Sequence, residues 1–285
     1  MFYKFLHHDL TYGLLLHWKR CIVTFLMFFC LSFSHFLTLR IYELIHPEFF
    51  DAPVTTADYF FAMAGGCGQP EILDGAPSFF SIPTSWAVFV LWILFACLYY
   101  PFVELQGIGK QLMVLSGSRW IWWLSKCVWA VVNTMVHFLL ALLSSMACGL
   151  LLGAKPGMQA NSYVALELQM RMDRLTSTTT WDMGAVFLFF CFSLVAFALM
   201  QLALSVVIRP VFSYLAISAY LFAGIYLQSP CFLGNYLMPA RYDLLTGTGV
   251  STGQGLLIFV WLIALSILLG GLCFCHMDVL GGTSD

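Results

Sequence analysis

The chain has 285 residues, of which 61% are hydrophobic and only 9% charged, with a net charge of -2. Soluble domains average about 25% charged residues, so this composition excludes a water-soluble globule, and the near-neutral balance offers nucleic acid no electrostatic footprint. A mean hydropathy of +0.89 and room for about six stretches of roughly 20 apolar residues indicate an all-α polytopic membrane protein.

Residues 1–20 place Phe2, Phe5, Leu6, Leu14, Leu15 and Trp18 among Lys4, His7, His8 and Lys19. That mixture predicts an interfacial helix lying flat on the membrane before the first span. No small-residue cleavage site follows the first apolar run, so that run is expected to remain as a span. Spans are expected near 21–39, 84–104, 126–152, 183–208, 211–227 and 255–276. Only Arg209 and Pro210 separate the fourth from the fifth, which demands a tight antiparallel pair, with Pro210 opening the fifth helix where its missing N–H does no harm.

The connections differ in character. Residues 41–84 contain Pro47, Pro53, Pro70, Pro77 and Pro83, which disfavours regular helix there, and they gather Glu43, Glu48, Asp51, Asp58, Glu71 and Asp74. Residues 164–173, VALELQMRMD, alternate like a strand but have helix-favouring composition, so a short surface helix is expected. Residues 228–254 are rich in turn formers yet apolar, consistent with a re-entrant piece that needs protein cover. Positive charge sets the orientation. With a cytoplasmic N-terminus, Lys4, Lys19, Arg20, Lys110, Arg119, Lys126 and Arg209 face the cytoplasm in short segments. Arg40, Lys155, Arg171, Arg174 and Arg241 are spread over longer outer loops. An even number of spans then leaves both termini inside.

Chemical signatures are sparse. There is no HExxH and no GxSxG. Gly109-Lys110 is not a phosphate loop, because Gln111 follows the lysine and position 104 is Glu. No catalytic, cofactor or metal residue is therefore assigned, and an ATPase site of the chain's own is not expected. Most of the ten cysteines lie in apolar runs, where they act as small hydrophobes; Cys67 and Cys231 sit in polar segments, where a bridge is conceivable. Asn133, His137 and Gln201 lie within spans. Asn133 and His137 share a helix face, which suits either a substrate pathway or interhelical hydrogen bonding.

The stretch GIGKQLMVLSGSRWIWWLSK, residues 107–126, joins spans two and three on the basic side. Its middle predicts a short helix with Leu112, Met113 and Leu115 on the apolar side. Trp120, Trp122 and Trp123 are expected at the headgroup level. Such a helix suits either an anchor or a docking element that takes force from a soluble motor.

The string SGSRWIWWLSKCVW after GIGKQLMVL, together with VVIRPVFSY, FLGNYLMPAR and the acidic, aromatic first outer loop, resembles bacterial ABC-2 type permeases, particularly short six-span subunits of Gram-positive type. The resemblance covers most of the chain and marks a family rather than a cargo. It implies an N-terminal elbow helix at residues 1–20 and a cytoplasmic coupling helix at 105–118 that includes Lys110, Gln111, Leu112, Met113 and Leu115. It also implies a homodimer, or a heterodimer with a similar permease, in the bacterial cytoplasmic membrane. A separate ABC ATPase subunit would bind ATP and magnesium and drive export of a peptide, antibiotic or lipid-like substrate. The competing readings are an intramembrane protease or acyltransferase centred on His137 and an ATP-independent immunity-type membrane protein.

Overall fold

A computed structural model describes residues 2–45, 54–68, 82–105, 108–161, 180–226, 231–246 and 249–277. The chain is an all-α polytopic membrane protein. Its helices are α1 (Phe2–Gly13), α2 (Trp18–Ile45), α3 (Thr56–Ala64), α4 (Thr84–Ala96), α5 (Tyr100–Leu105), α6 (Ile108–Ser116), α7 (Arg119–Leu151), α8 (Met183–Ile208), α9 (Pro210–Tyr226), α10 (Asp243–Thr246) and α11 (Thr252–His276). A short ribbon of β1 (Gln159–Asn161) and β2 (Thr180–Asp182) pairs antiparallel over three residue pairs, with Ala160 opposite Trp181. The predicted helix at 164–173 lies outside the described residues, as do Glu48, Asp51, Glu71 and Asp74 of the acidic loop.

Five stretches are long and apolar enough to cross a membrane: Trp18–Leu39, Thr84–Leu105, Arg119–Leu151, Met183–Ile208 and Thr252–His276. The fifth expected span corresponds to α9, with 17 residues. At 1.5 Å per residue it reaches about 25 Å, short of the roughly 30 Å of hydrocarbon. Two short, largely buried 3-10 helices, Leu233–Leu237 and Pro239–Arg241, pack at its end. This segment is covered by protein, as broken helical backbone requires. Trp86 Nε1 donates to Leu237 O at 2.5 Å, Ala240 N to Gly65 O at 2.9 Å and Tyr242 Oη to Tyr236 O at 2.7 Å.

Three features depart from the sequence expectation. First, the third long helix begins at Arg119, not near residue 126, so the tryptophans are part of it. Trp122 and Trp123 are buried, with Trp122 stacked on Phe274 at 4.5 Å between centroids. They fill the interface with α11 instead of sitting in a headgroup belt. Gly270 and Gly271 make the space: a Cβ on them would lie 2.4 Å from Trp123 Cζ2 and 2.3 Å from Trp120 Cζ3. Arg119 closes the contact by donating to Cys275 O and Met277 O, both at 2.7 Å, where the end of α11 leaves carbonyls unpaired.

Second, α3 is a fully buried helix inside the proline-rich connection. None of the prolines falls between residues 54 and 68, so the apolar run ADYFFAMA is free to coil. Phe60 inserts among Phe89, Phe138 and Phe187, at centroid distances of 5.7, 5.5 and 4.6 Å.

Third, the second span is broken between α4 and α5. Pro101 has no N–H to offer the preceding turn and disfavours helical geometry at Tyr100. Cys97 N and Leu98 N accordingly bond three residues back, to Leu94 O and Phe95 O. The expected tight pair of α8 and α9 is present. Its link runs through Arg209 at φ 66°, ψ 148°, at the edge of a region almost reserved for glycine.

Candidate functional site

At one end of the bundle, α1, α5 and the start of α7 enclose a charged cluster. Phe5, Asp9 and Gly13 are the buried face of α1, spaced four residues apart and so on one side of a helix. Gly13 permits the approach to α7: a Cβ there would lie 2.4 Å from Trp129 Nε1 and 2.6 Å from the Tyr100 ring. Asp9 thereby reaches the bundle interior. One of its oxygens accepts from Tyr100 Oη at 3.1 Å and the other from Ser125 Oγ at 2.5 Å.

Lys126 is wholly buried. Its ammonium donates to both Asp9 Oδ1 and Glu104 Oε2, and it lies 5.0 Å from the centroids of the Tyr100 and Trp122 rings, close enough for cation–π attraction. His8 completes the group, with Nδ1 3.3 Å from Glu104 Oε1 and 3.8 Å from Asp9 Oδ1. His8, Asp9 and Glu104 offer ligand atoms within 4.8 Å of one another. Lys126, bonded to both acids, already supplies the cation that such a grouping would otherwise recruit.

The cluster adjoins α6. Gly109 lies so close to Glu104 that a Cβ would meet Glu104 O at 2.8 Å. Of the residues expected on α6, Lys110 is half-buried and Gln111 exposed, while the side chains of Leu112 and Leu115 lie outside the described residues. Met113 is only 4% exposed and packs in the core with Trp122 and Phe5. Its side chain holds α6 to the bundle, so it is a packing residue and not an open docking contact. Val114, 59% exposed, faces outward.

Asn133, His137 and Gln201 are all buried, and each has its own interhelical partner. Asn133 Nδ2 donates to Cys97 Sγ at 3.2 Å and Gln201 Nε2 to Leu94 O at 3.0 Å. Thr24 Oγ1 donates to Arg20 O and accepts from Trp92 Nε1. Its 2.9 Å contact with His137 Nδ1 therefore has the imidazole as donor, which assigns the Nδ1–H tautomer. None of the three lines the groove of about 580 Å³ between α4 and α9, which is bordered by Leu91, Trp92, Phe95, Tyr214 and Phe222. Their arrangement is that of polar ties between helices.

A second buried cation sits at the opposite end. Arg241 donates to Cys67 O, Gly68 O, Gly224 O, Ile225 O, Asn235 Oδ1 and Cys67 Sγ. It closes the end of α9 and ties it to the 65–68 loop. Burial pulls the guanidinium below its ordinary value and pushes the Cys67 thiol up. Cys67 is a free thiol, so the conceivable bridge to Cys231 is not formed. Nearby, Asp58 caps α3 from within. It accepts from Thr55 N at 2.8 Å and from Asn161 N at 2.7 Å, and burial raises its carboxyl to about 6 against those hydrogen bonds.

Sequence reasoning passed over Asp9, Glu104 and Tyr100 and read Lys126 only as a surface charge. The usable signal is Asp9 itself, an acid four residues from Phe5 and from Gly13 on a helix whose other polar residues suit an interfacial position. The chain matches no protein-family model, no curated protein and no solved structure.

Proposed function

We propose that this chain is the membrane subunit of an ATP-driven exporter of the ABC-2 type, with α9 as the sixth, short span. In this reading α1 is the elbow helix and α6 the coupling helix on the cytoplasmic side. Both termini are then cytoplasmic, and two permease chains, identical or similar, form the pathway in a bacterial cytoplasmic membrane. A separate ABC ATPase supplies the energy, and the cargo is a peptide, antibiotic or lipid-like amphiphile.

The observation that carries the reading is the mounting of α6. It interrupts the passage from span two to span three, is pressed onto Glu104 through Gly109, and is anchored in the core by Met113. Gln111 and Val114 remain outward. Force applied to that outer face has a rigid route into the bundle, which a floppy anchor loop would lack.

Co-purification with a Walker-type ATPase, and ATP turnover of the complex, test this. Val114→Asp is expected to weaken ATPase binding about tenfold or more while leaving the thermal midpoint of the permease unchanged. Met113→Asp unfolds the α6 contact and so does not isolate docking. Unchanged turnover for Val114→Asp would remove α6 from the coupling role. An epitope inserted at Gly117 that is readable from outside intact cells would overturn the whole orientation.

A further inference from the structure

We propose that His8 Nδ1 and Glu104 Oε1 together bind one proton, and that this proton fastens α1 to the end of the second span. Both atoms are fully shielded from solvent and neither has a hydrogen-bond partner, yet they lie 3.3 Å apart. The Glu104 side chain is 7% exposed. An unpaired buried polar atom is costly, and at this separation a small turn of the imidazole lets one hydrogen between the two relieve both.

The charges around the pair point the same way. On α1 they are Asp9, 3.8 Å from Nδ1, and the Tyr12 ring, stacked on His8 at 4.5 Å. On α5 they are Glu104 itself and Tyr100, whose hydroxyl is spent on Asp9. On α7 there is Lys126, bonded to both acids, and the neutral Ser125. On α6, Gly109 abuts Glu104 without adding charge. Two carboxylates and one ammonium leave a net charge of minus one in a buried setting, where uncompensated charge is penalised. The bound proton brings the count to zero and creates a charge-assisted hydrogen bond across the α1–α5 contact. It sits at the end of α5, against Gly109 of α6, so its loss loosens the contact between the N-terminal helix and the connection between spans two and three.

The test is amide hydrogen exchange of residues 2–13 in the full-length chain in lipid nanodiscs, at pH 5.5 and 8.0, corrected for the intrinsic pH dependence of exchange. Protection of α1 is expected to be at least about tenfold higher at pH 5.5. His8→Gln should abolish the difference, and so should Glu104→Gln. His7→Gln, at an exposed position, should retain it. Equal protection of the unmodified chain at both pH values overturns the proposal, because a neutral imidazole donating from Nδ1 would then suffice. A pH difference that survives in His8→Gln overturns it as well. If Glu104→Gln fails to fold after losing its bond to Lys126, the comparison of His8→Gln with His7→Gln decides alone.

Discussion

At the α1 end, Lys126 is held by two carboxylates and leaves the cluster with an excess of negative charge; at the opposite end, Arg241 is held by carbonyls, an amide and a thiol, with no carboxylate bonded to it among the described residues. The side chains explain the choice. A lysine ammonium is a compact charge that needs opposite charge close by, whereas the planar guanidinium spreads five donors in a fork that can be filled by neutral acceptors. The acceptors at Arg241 include Gly224 O and Ile225 O at the end of α9, where a helix carries partial negative charge. Both cations are buried, but among the described residues only Lys126 is bonded to carboxylates, and a histidine stands beside them. Arg241 is therefore a fixed staple, and adjustable chemistry is concentrated at the α1 end.

The largest effect is expected from Lys126→Met. It strands Asp9 and Glu104 in a buried site without a counter-charge, a loss of about 3–5 kcal/mol, or a fall of roughly 10 °C in the thermal midpoint in detergent. The triple variant Asp9→Asn/Glu104→Gln/Lys126→Met removes all three charges and should recover most of the loss. Failure of the triple variant to recover would mean that geometry, not charge balance, dominates the cluster.

Arg241→Lys comes next. The charge is kept but the fork is lost, leaving several of the six contacts unmade, at about 1–3 kcal/mol for each acceptor that stays dry. Unlike the α1-end cluster, this loss should be the same at pH 5.5 and 8.0. A pH-dependent loss in thermal melts would show that Cys67 takes part in the charge balance and would blur the contrast between the two ends.

How much of this was legible beforehand differs between the ends. Hydropathy located the long helices because a span is a bulk property of about 20 residues. The Arg209-Pro210 link was legible because so short a connection leaves one geometry. The buried cations were not, since a lysine or arginine near the end of an apolar run looks the same whether it faces headgroups or protein. Starting the third span at Lys126 hid the two preceding helical turns, Arg119 to Ser125, that carry Trp122 and Trp123 inward. Likewise α3 was masked by the proline density around it, although the prolines only bracket it. Arg241 had no local signal at all, because its acceptors come from residues 67–68, 224–225 and 235, brought together by tertiary structure.

The α11 contact gives a smaller, steric test at the α1 end. Gly271→Ala places a methyl group 2.3 Å from Trp120 Cζ3, and the indole must move. Overpacking of this kind costs about 1–3 kcal/mol. Because Arg119, the residue before Trp120, caps α11 from the same turn of α7, exchange protection at residues 275–277 should fall with it. Unchanged protection there would mean that the two contacts act independently.

The smallest effect is expected at Asp58, and it tests whether the opposite end is as insensitive to pH as Arg241 suggests. The carboxyl is lifted to about 6 in the folded chain because burial penalises its charge more than Thr55 and Asn161 reward it. An unfolded aspartate loses its proton near 3.9. Between those values the folded state holds the extra proton, so stability is highest below about 4 and declines as pH rises to about 6, then levels off. Asp58→Asn should flatten that decline in thermal melts between pH 4 and 6.5, while giving up part of the cap, since the amide oxygen serves only one of Thr55 N and Asn161 N. The decline overlaps only the acid edge of the range in which the His8–Glu104 pair is proposed to act on α1, and it should register in exchange of residues 55–64 and not of residues 2–13. If Asp58→Asn instead removed the pH response of α1, the two ends would be coupled through α7, and the division into a fixed end and an adjustable end would fail.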